Sequence, residues 1–317
     1  MTPDRRRVAA ALLAAGLAAP ALARGQEVVV GGAATRLGPQ GKPDYAPPTD
    51  LKTVIDVYRR MTGPVKVQGS GPYQFVVDTG ANQSVISVEL AAQLGLPAGD
   101  ALPLNGVAGV QVTPTVTADL QIGTKPIRSV TLYTLPEAAI GGLGMLGLDV
   151  LDGARLTLDF RRQTVIIDEG PRLPGDGDAY QMRARRRDGQ LTLVDANLAG
   201  IKVTAFLDSG AQDTIGNMAL RELAITRYPT TLMRTVPIVS VTGQTIDAEF
   251  ADLPSLRLGG ITLPDWPVAF ADLHVFRMWD LIRAPAILIG VDVLSRFETV
   301  CLDFRHDEVG FRLPTRA

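Results

Sequence analysis

Two carboxylates stand out for what surrounds them. Asp78-Thr79-Gly80 follows the apolar run Phe75-Val76-Val77, and Asp208-Ser209-Gly210 follows Ala205-Phe206-Leu207. Each continues with Ala, a polar pair and another short run, Ala81-Asn82-Gln83-Ser84-Val85-Ile86 and Ala211-Gln212-Asp213-Thr214-Ile215. A carboxylate at the end of a strand, twice over, is one half-site written out two times. Face to face, two such groups form an acid–base pair able to activate water, because like charges in contact cannot both ionise cheaply. A single Asp-Ser/Thr-Gly triplet is more often a plain turn, since Asp and Gly favour turns. The matching strand before and the matching Ala after set this pair apart.

A second repeat supports the first. Met145-Leu146-Gly147-Leu148-Asp149-Val150-Leu151 parallels Leu288-Ile289-Gly290-Val291-Asp292-Val293-Leu294, and Leu158-Asp159-Phe160-Arg161 parallels Leu302-Asp303-Phe304-Arg305. The triplets lie 130 residues apart and the Leu-Asp-Phe-Arg strings 144 apart, so the second half carries about 14 extra residues. The Ile261–Pro285 stretch, with Trp266 and Trp279, is their expected place. A unit this long is a lobe and not a solenoid repeat. Asp149 and Asp292 follow the repeated glycine by two residues, and a structural hydrogen-bonding role is expected for both.

The elements that must position these groups read as strands, turns and short helices. The 32 Gly and 22 Pro, with many Val, Ile and Thr, favour an all-β fold. Val54–Tyr58, Val65–Val67 and Tyr73–Val77 read as strands, with a turn at Gly69–Pro72. Ser87 is a suitable N-cap for a helix through Leu94 with Gly95 as its stop, and Asn217 caps the matching helix through Leu220 and Leu223. Val107–Gln111 and Val241–Thr245 centre on Gly109 and Gly243 with alternating residues on both sides, as hairpins do. They are either ordinary surface hairpins or flaps that close over a substrate.

Composition narrows the chemistry. The chain of 317 residues is 46% hydrophobic and 20% charged, enough to bury a large core, and its net charge of -2 provides no footprint for nucleic acid. The single cysteine, Cys301, permits no intramolecular disulfide and reads as a core residue. His274 and His306, the only histidines, lack ligand spacing, so neither a metal site nor a cofactor is expected. Arg5-Arg6-Arg7, the apolar Val8–Pro20 and Ala21-Leu22-Ala23 read as an export signal with a small-x-small cleavage site, a retained anchor being the alternative. The expected organisation is therefore a signal peptide over 1–23, a flexible leader over 24–50, a first lobe over 51–172, a linker over 173–180 and a second lobe over 181–317, with an exported, periplasmic or secreted product. Arg183, Arg185, Arg186 and Arg187, just past the linker, read as a solvated edge strand.

Together these residues resemble the retropepsin-like aspartic proteases. Asp78-Thr79-Gly80-Ala81-Asn82-Gln83-Ser84-Val85 is similar to that family's catalytic strand and loop, and Leu146-Gly147 and Ile289-Gly290 to the apolar-apolar-Gly element behind it. Both halves match, over about residues 51 to 317. The Ala after each triplet follows the retroviral pattern, whereas two copies in one chain follow the pepsin-like arrangement, so the likeness is to a single-chain bacterial-type member. The disulfides of pepsins are lacking, as is a Tyr at the tip of the first hairpin. The resemblance implies two homologous β-barrel lobes with short helices and an active-site cleft between them. It implies that Asp78 and Asp208 are catalytic, that Thr79 and Ser209 hydrogen-bond across the lobes, and that Gly80 and Gly210 permit close approach. Asn82, Gln83, Gln212, Asp213, Gly109 and Gly243 are the substrate-binding candidates. The implied activity is that of an endopeptidase acting on peptide or protein, without metal or covalent intermediate, and a monomer suffices because one chain supplies both half-sites. The alternatives are a silent peptide-binding module of the cell envelope on the same fold, or a structural envelope protein of two β domains.

Overall fold

The computed structural model describes residues 60–106, 108–151, 153–169, 179–187, 189–231 and 233–314, with the strand segments 29–30, 49–52 and 54–55. Two six-strand barrels account for most of it. In the first, the order is Met61–Val67, Ser70–Val77, Gly144–Leu146, Val85–Ser87, Lys125–Leu135 and Thr115–Ile122, which pairs back to Met61–Val67. In the second it is Gln190–Leu198, Ile201–Leu207, Ala286–Ile289, Ile215–Gly216, Ile261–Phe270 and Thr245–Leu258, closing on Gln190–Leu198. Closure leaves no open edge. The pleat sorts the side chains: along Thr115–Ile122, Val116, Ala118, Leu120 and Ile122 are all buried at alternate positions. The expectation of an all-β, two-lobed chain with short helices therefore holds.

A third element joins the lobes. Thr49–Lys52, Thr164–Asp168, Arg155–Asp159, Thr299–Asp303, Glu308–Arg312 and Ala179–Arg187 lie side by side as a six-strand antiparallel floor. The two Leu-Asp-Phe-Arg strings meet at its centre, with Leu156 opposite Leu302, Thr157 opposite Cys301 and Leu158 opposite Val300. Thr157 and Cys301 are themselves 144 residues apart, so equivalent positions face each other and the approximate twofold axis passes between them. This is the geometry of a self-complementary dimer interface carried within one chain. Leu156, Leu158, Val300 and Leu302 are fully buried there, each burial worth about 1.5–3 kcal/mol. Thr157 Oγ1 donates to Cys301 Sγ at 3.3 Å, and burial pushes the thiol up to about 12.

Shared offsets locate the extra residues. Ser87 and Asn217, the caps of helices Val88–Gln93 and Met218–Arg227, are 130 apart. Gly109 and Gly243 are 134 apart, Gly123 and Gly259 136, and Gly147 and Gly290 143. The longer second helix thus takes about four residues and the segment from Gly259 to Gly290 about seven. The expectation that Ile261–Pro285 holds the whole insertion is corrected to about half of it, because the duplication exposes only the total. Ser70–Pro72, read as turn, already belongs to a strand, with Gln68-Gly69 making the reversal at positive φ.

The expected signal peptide over 1–23 lies outside the described residues, as do most of the expected leader and residues 173–178 of the expected linker. Of the leader, Val29–Val30 pairs with Ile261–Thr262, and Thr49–Lys52 spans the expected start of the first lobe. Ala179–Arg187 begins inside the expected linker and turns directly into Gln190–Leu198. Among the described residues, no helix is long and apolar enough to cross a membrane.

Candidate active site

Each triplet sits where a central barrel strand ends and the chain turns away from the sheet. Asp78 N donates to Leu146 O and Asp208 N to Ile289 O, both at 3.0 Å, continuing the parallel pairing of each loop strand with its glycine element. The loops are then held from behind: Leu148 N donates to Ala81 O and Val291 N to Ala211 O, both at 2.8 Å. A Cβ on Gly147 would lie 2.7 Å from the Gln83 backbone, and one on Gly290 2.6 Å from Asp213 O, so only glycine fits. Asp149 accepts from Ser84 N and Ser84 Oγ, and Asp292 accepts from Thr214 Oγ1 at 2.8 Å. Ser84 Oγ and Thr214 Oγ1 in turn accept from Gly147 N and Gly290 N. The recurring aspartates are braces between loop and glycine element.

The hydroxyls cross the lobe boundary. Thr79 Oγ1 donates to Leu207 O at 2.9 Å and accepts from Ser209 N at 3.1 Å. Ser209 Oγ donates to Val77 O at 2.7 Å and accepts from Thr79 N at 3.1 Å. Four reciprocal bonds, all buried, lock the loops to one another.

This lock brings the carboxyls together. A Cβ on Gly80 would lie 2.5 Å from Asp208 Oδ1, and one on Gly210 2.5 Å from Asp78 Oδ1, so each carboxyl packs on the opposite glycine. Asp78 Oδ1 accepts from Gly80 N and Ala81 N at 2.8 and 3.1 Å, and Asp208 Oδ1 from Gly210 N and Ala211 N at 2.9 and 3.0 Å. Both Oδ2 atoms are buried and, among the described residues, receive no N–H or hydroxyl, while the two carboxyls interact with each other. Burial raises both groups above the ordinary carboxylate range. The negative charge of Asp78 raises Asp208 further, to well above it. A pair so placed takes up one proton before either group would alone.

The hairpins Leu102–Asn105/Val110–Thr113 and Arg234–Val239/Thr245–Leu258 reach over this pair, with Gly109 and Gly243 at positive φ near their tips. The tips touch. Gln244 Oε1 accepts from Ala108 N at 3.1 Å, a Cβ on Gly106 would lie 2.6 Å from Thr242 Oγ1, and Val241 is buried in the cluster that holds Leu104. Asp78 and Asp208 are both 0% exposed. The remaining candidates flank the dyad and are partly exposed: Asn82 and Gln83 in the first lobe, Gln212 and Asp213 in the second. Asn82 Oδ1 accepts from Gln190, Gln212 O accepts from Asp292 N, and Asp213 is pushed up to about 7 by burial and then by Asp292.

Several residues here escape sequence reasoning. Gln190 Nε2, from the second lobe, donates to Gly80 O at 3.1 Å and to Asn82 Oδ1 at 2.9 Å. Arg60, 1% exposed, donates from Nη2 to Ile140 O at 2.9 Å, and its charge acts on Asp78. They lie 130 residues apart, the signal that would have found them. The second-lobe extra segment packs behind the strand that leads into Asp208, where Trp279 stacks on Phe206 with centroids 3.9 Å apart. It also reaches the opposite hairpin, with His274 Nε2 3.2 Å from Asn105 Oδ1. Arg187 donates to Trp279 O and Arg186 pairs with Asp307, so these two arginines brace the fold; the strand that carries all four pairs with Gln190–Leu198 on one side and Glu308–Arg312 on the other, which corrects the edge-strand reading.

A family model described as aspartyl protease matches residues 63–150 and 194–293, one region in each barrel and together more than half of the chain. No curated protein matches the chain.

Proposed function

Because the chain belongs to the aspartyl protease family, we propose that it is an endopeptidase whose attacking water is activated between Asp78 and Asp208. The observation that carries this reading is a pair of interacting carboxyls, each with a buried Oδ2 that receives no donor among the described residues. A shared proton and a bridging water satisfy both, as buried polar atoms require. One carboxylate takes a proton from water as the hydroxide adds to the peptide carbonyl carbon. The other, as the acid, gives its proton to the carbonyl oxygen, and a neutral gem-diol results. The first group then protonates the amide nitrogen as the C–N bond breaks, and the second recovers its proton from a gem-diol hydroxyl. No bond to the protein forms.

With both carboxyls buried and the hairpin tips in contact, a peptide reaches the pair only when the tips part. Asn82, Gln83, Gln212 and Asp213 are then the polar groups beside its main chain, and Gly109 and Gly243 the flexible points of the flaps. We also propose export, supported by Arg5-Arg6-Arg7, the apolar Val8–Pro20 and Ala21-Leu22-Ala23; N-terminal sequencing of the mature protein tests it. The activity is tested on a peptide library from acid to neutral pH with wild type, Asp78→Asn and Asp208→Asn. Cleavage by wild type alone is expected. Full cleavage by either variant overturns the dyad, and peptide binding without turnover by wild type favours a silent binding module.

A further inference from the structure

The hydrogen bonds that hold the two halves of the dyad are closely matched, and among the described residues the halves differ in charge at one place. Thr62 pairs with Val76 in the first lobe and Thr192 with Phe206 in the second, all at the 130-residue offset, so Gln190 stands where Arg60 stands. Both side chains are 1% exposed. The Oδ1 contacts, the crossed hydroxyls and the supporting glycines are duplicated nearly atom for atom. The buried cation is not. We propose that Arg60 makes the dyad unequal: it holds Asp78 as the carboxylate that takes the proton from water and leaves Asp208 as the acid that protonates the substrate carbonyl.

A guanidinium does not deprotonate in a protein, so its charge persists at every working pH. Away from water that charge is poorly screened and acts beyond contact distance. Among the described residues, the charged groups that act on Asp78 are Asp208 from the opposite loop and Arg60, and the one that acts on Asp208 is Asp78. Burial raises both carboxyls, but Arg60 opposes the rise at Asp78, whereas at Asp208 the charge of Asp78 adds to it. Gln190, being neutral, exerts no matching pull on its side; its amide is spent on Gly80 O and Asn82 Oδ1. Arg60 acts on Asp78 through its charge. It is a positioning residue that acts through Asp78.

The inference rests on the reading of Asp78 and Asp208 as a dyad, but it is measurable without turnover. In full-length protein, Asp208→Asn leaves Asp78 as the titrating member and Asp78→Asn leaves Asp208. Carbon-detected NMR of aspartate-labelled protein follows each one. Asp78 is expected to titrate below Asp208, and Arg60→Gln is expected to raise Asp78 by at least about half a pH unit, about threefold in proton affinity, while moving Asp208 less. Arg60→Lys should keep the original order. Equal or inverted order in the two single variants overturns the proposal even if Arg60→Gln does not fold, and so does an equal shift of both carboxyls in Arg60→Gln. In the active enzyme, the acid limb of the kcat/KM profile should move to higher pH in Arg60→Gln and return in Arg60→Lys. A wild type that cleaves no peptide defeats the protease reading alone, since the titrations still decide the asymmetry.

Discussion

Replacing Thr79 by Val tests the crossed lock most directly. Valine keeps the shape and deletes the hydroxyl. The deletion removes the bond from Oγ1 to Leu207 O and the bond from Ser209 N to Oγ1, at 2.9 and 3.1 Å, at a residue 1% exposed. Water cannot replace the lost partner, so a carbonyl and an N–H lose this bond inside the interface. Each buried group so stranded costs about 1–3 kcal/mol, which places the variant about 2–6 kcal/mol below wild type. Thr79→Ser keeps the hydroxyl and loses a methyl, about 1 kcal/mol. Urea unfolding followed by the fluorescence of Trp266 and Trp279, both buried in the second lobe, reads the difference at fixed pH. Ser209→Ala breaks the reciprocal pair, and since the four bonds form one network the double variant should cost less than the two single losses combined. A Thr79→Val protein within about 0.5 kcal/mol of wild type would refute the reasoning. So would a Thr79→Ser protein as unstable as Thr79→Val.

Gly80→Ala drives a methyl into Asp208 Oδ1, 2.5 Å from the Cβ position; cleavage should fall at least about 100-fold, as expected when reacting groups shift by about 1 Å, with the far-UV spectrum retained. Asp213 is pushed up to about 7 and Asp292 to about 6. Groups raised on folding bind more protons folded than unfolded, so they favour the folded state fully only below the unfolded value near pH 4, and that stability is lost as pH rises toward 7. Asp213→Asn should therefore flatten the fall in urea midpoint between pH 4.5 and 7.5, and an unchanged slope would contradict this. Gln244→Ala removes the acceptor for Ala108 N; a net contribution of about 1 kcal/mol predicts about fivefold faster amide exchange in residues 102–113, read by mass spectrometry.

Read from the chain alone, the duplicated triplets pick out the two loops that meet, because a strand, a turn and a helix cap are short-range features. Asp78, Thr79 and Gly80 announce themselves by what stands within ten residues of them, as do Asp208, Ser209 and Gly210. The same holds for Ser87 and Asn217, whose side chains accept from Leu90 N and Leu220 N three residues on. The glycine elements were legible as repeats, and the braces from Asp149 and Asp292 followed from their spacing. The insertion was legible only as a sum, since an offset read at the two ends does not say where it grew.

The sequence by itself determined that this chain has two like halves, each with a strand-end carboxylate, a hydroxyl and a glycine, and a core adequate to fold them. Tertiary structure alone decided how the halves meet. Thr157 faces Cys301 because the floor strands pair about an axis that no local pattern marks. The hairpin tips meet where Gln244 reaches Ala108 across 136 residues of chain. The dyad is unequal in its surroundings because docking buries Arg60 on one side and Gln190 on the other. The physical reason is common to all three. Backbone preference and side-chain periodicity act over a few residues, whereas the register between two barrels is set by burial and hydrogen bonds that exist only once the lobes are in contact.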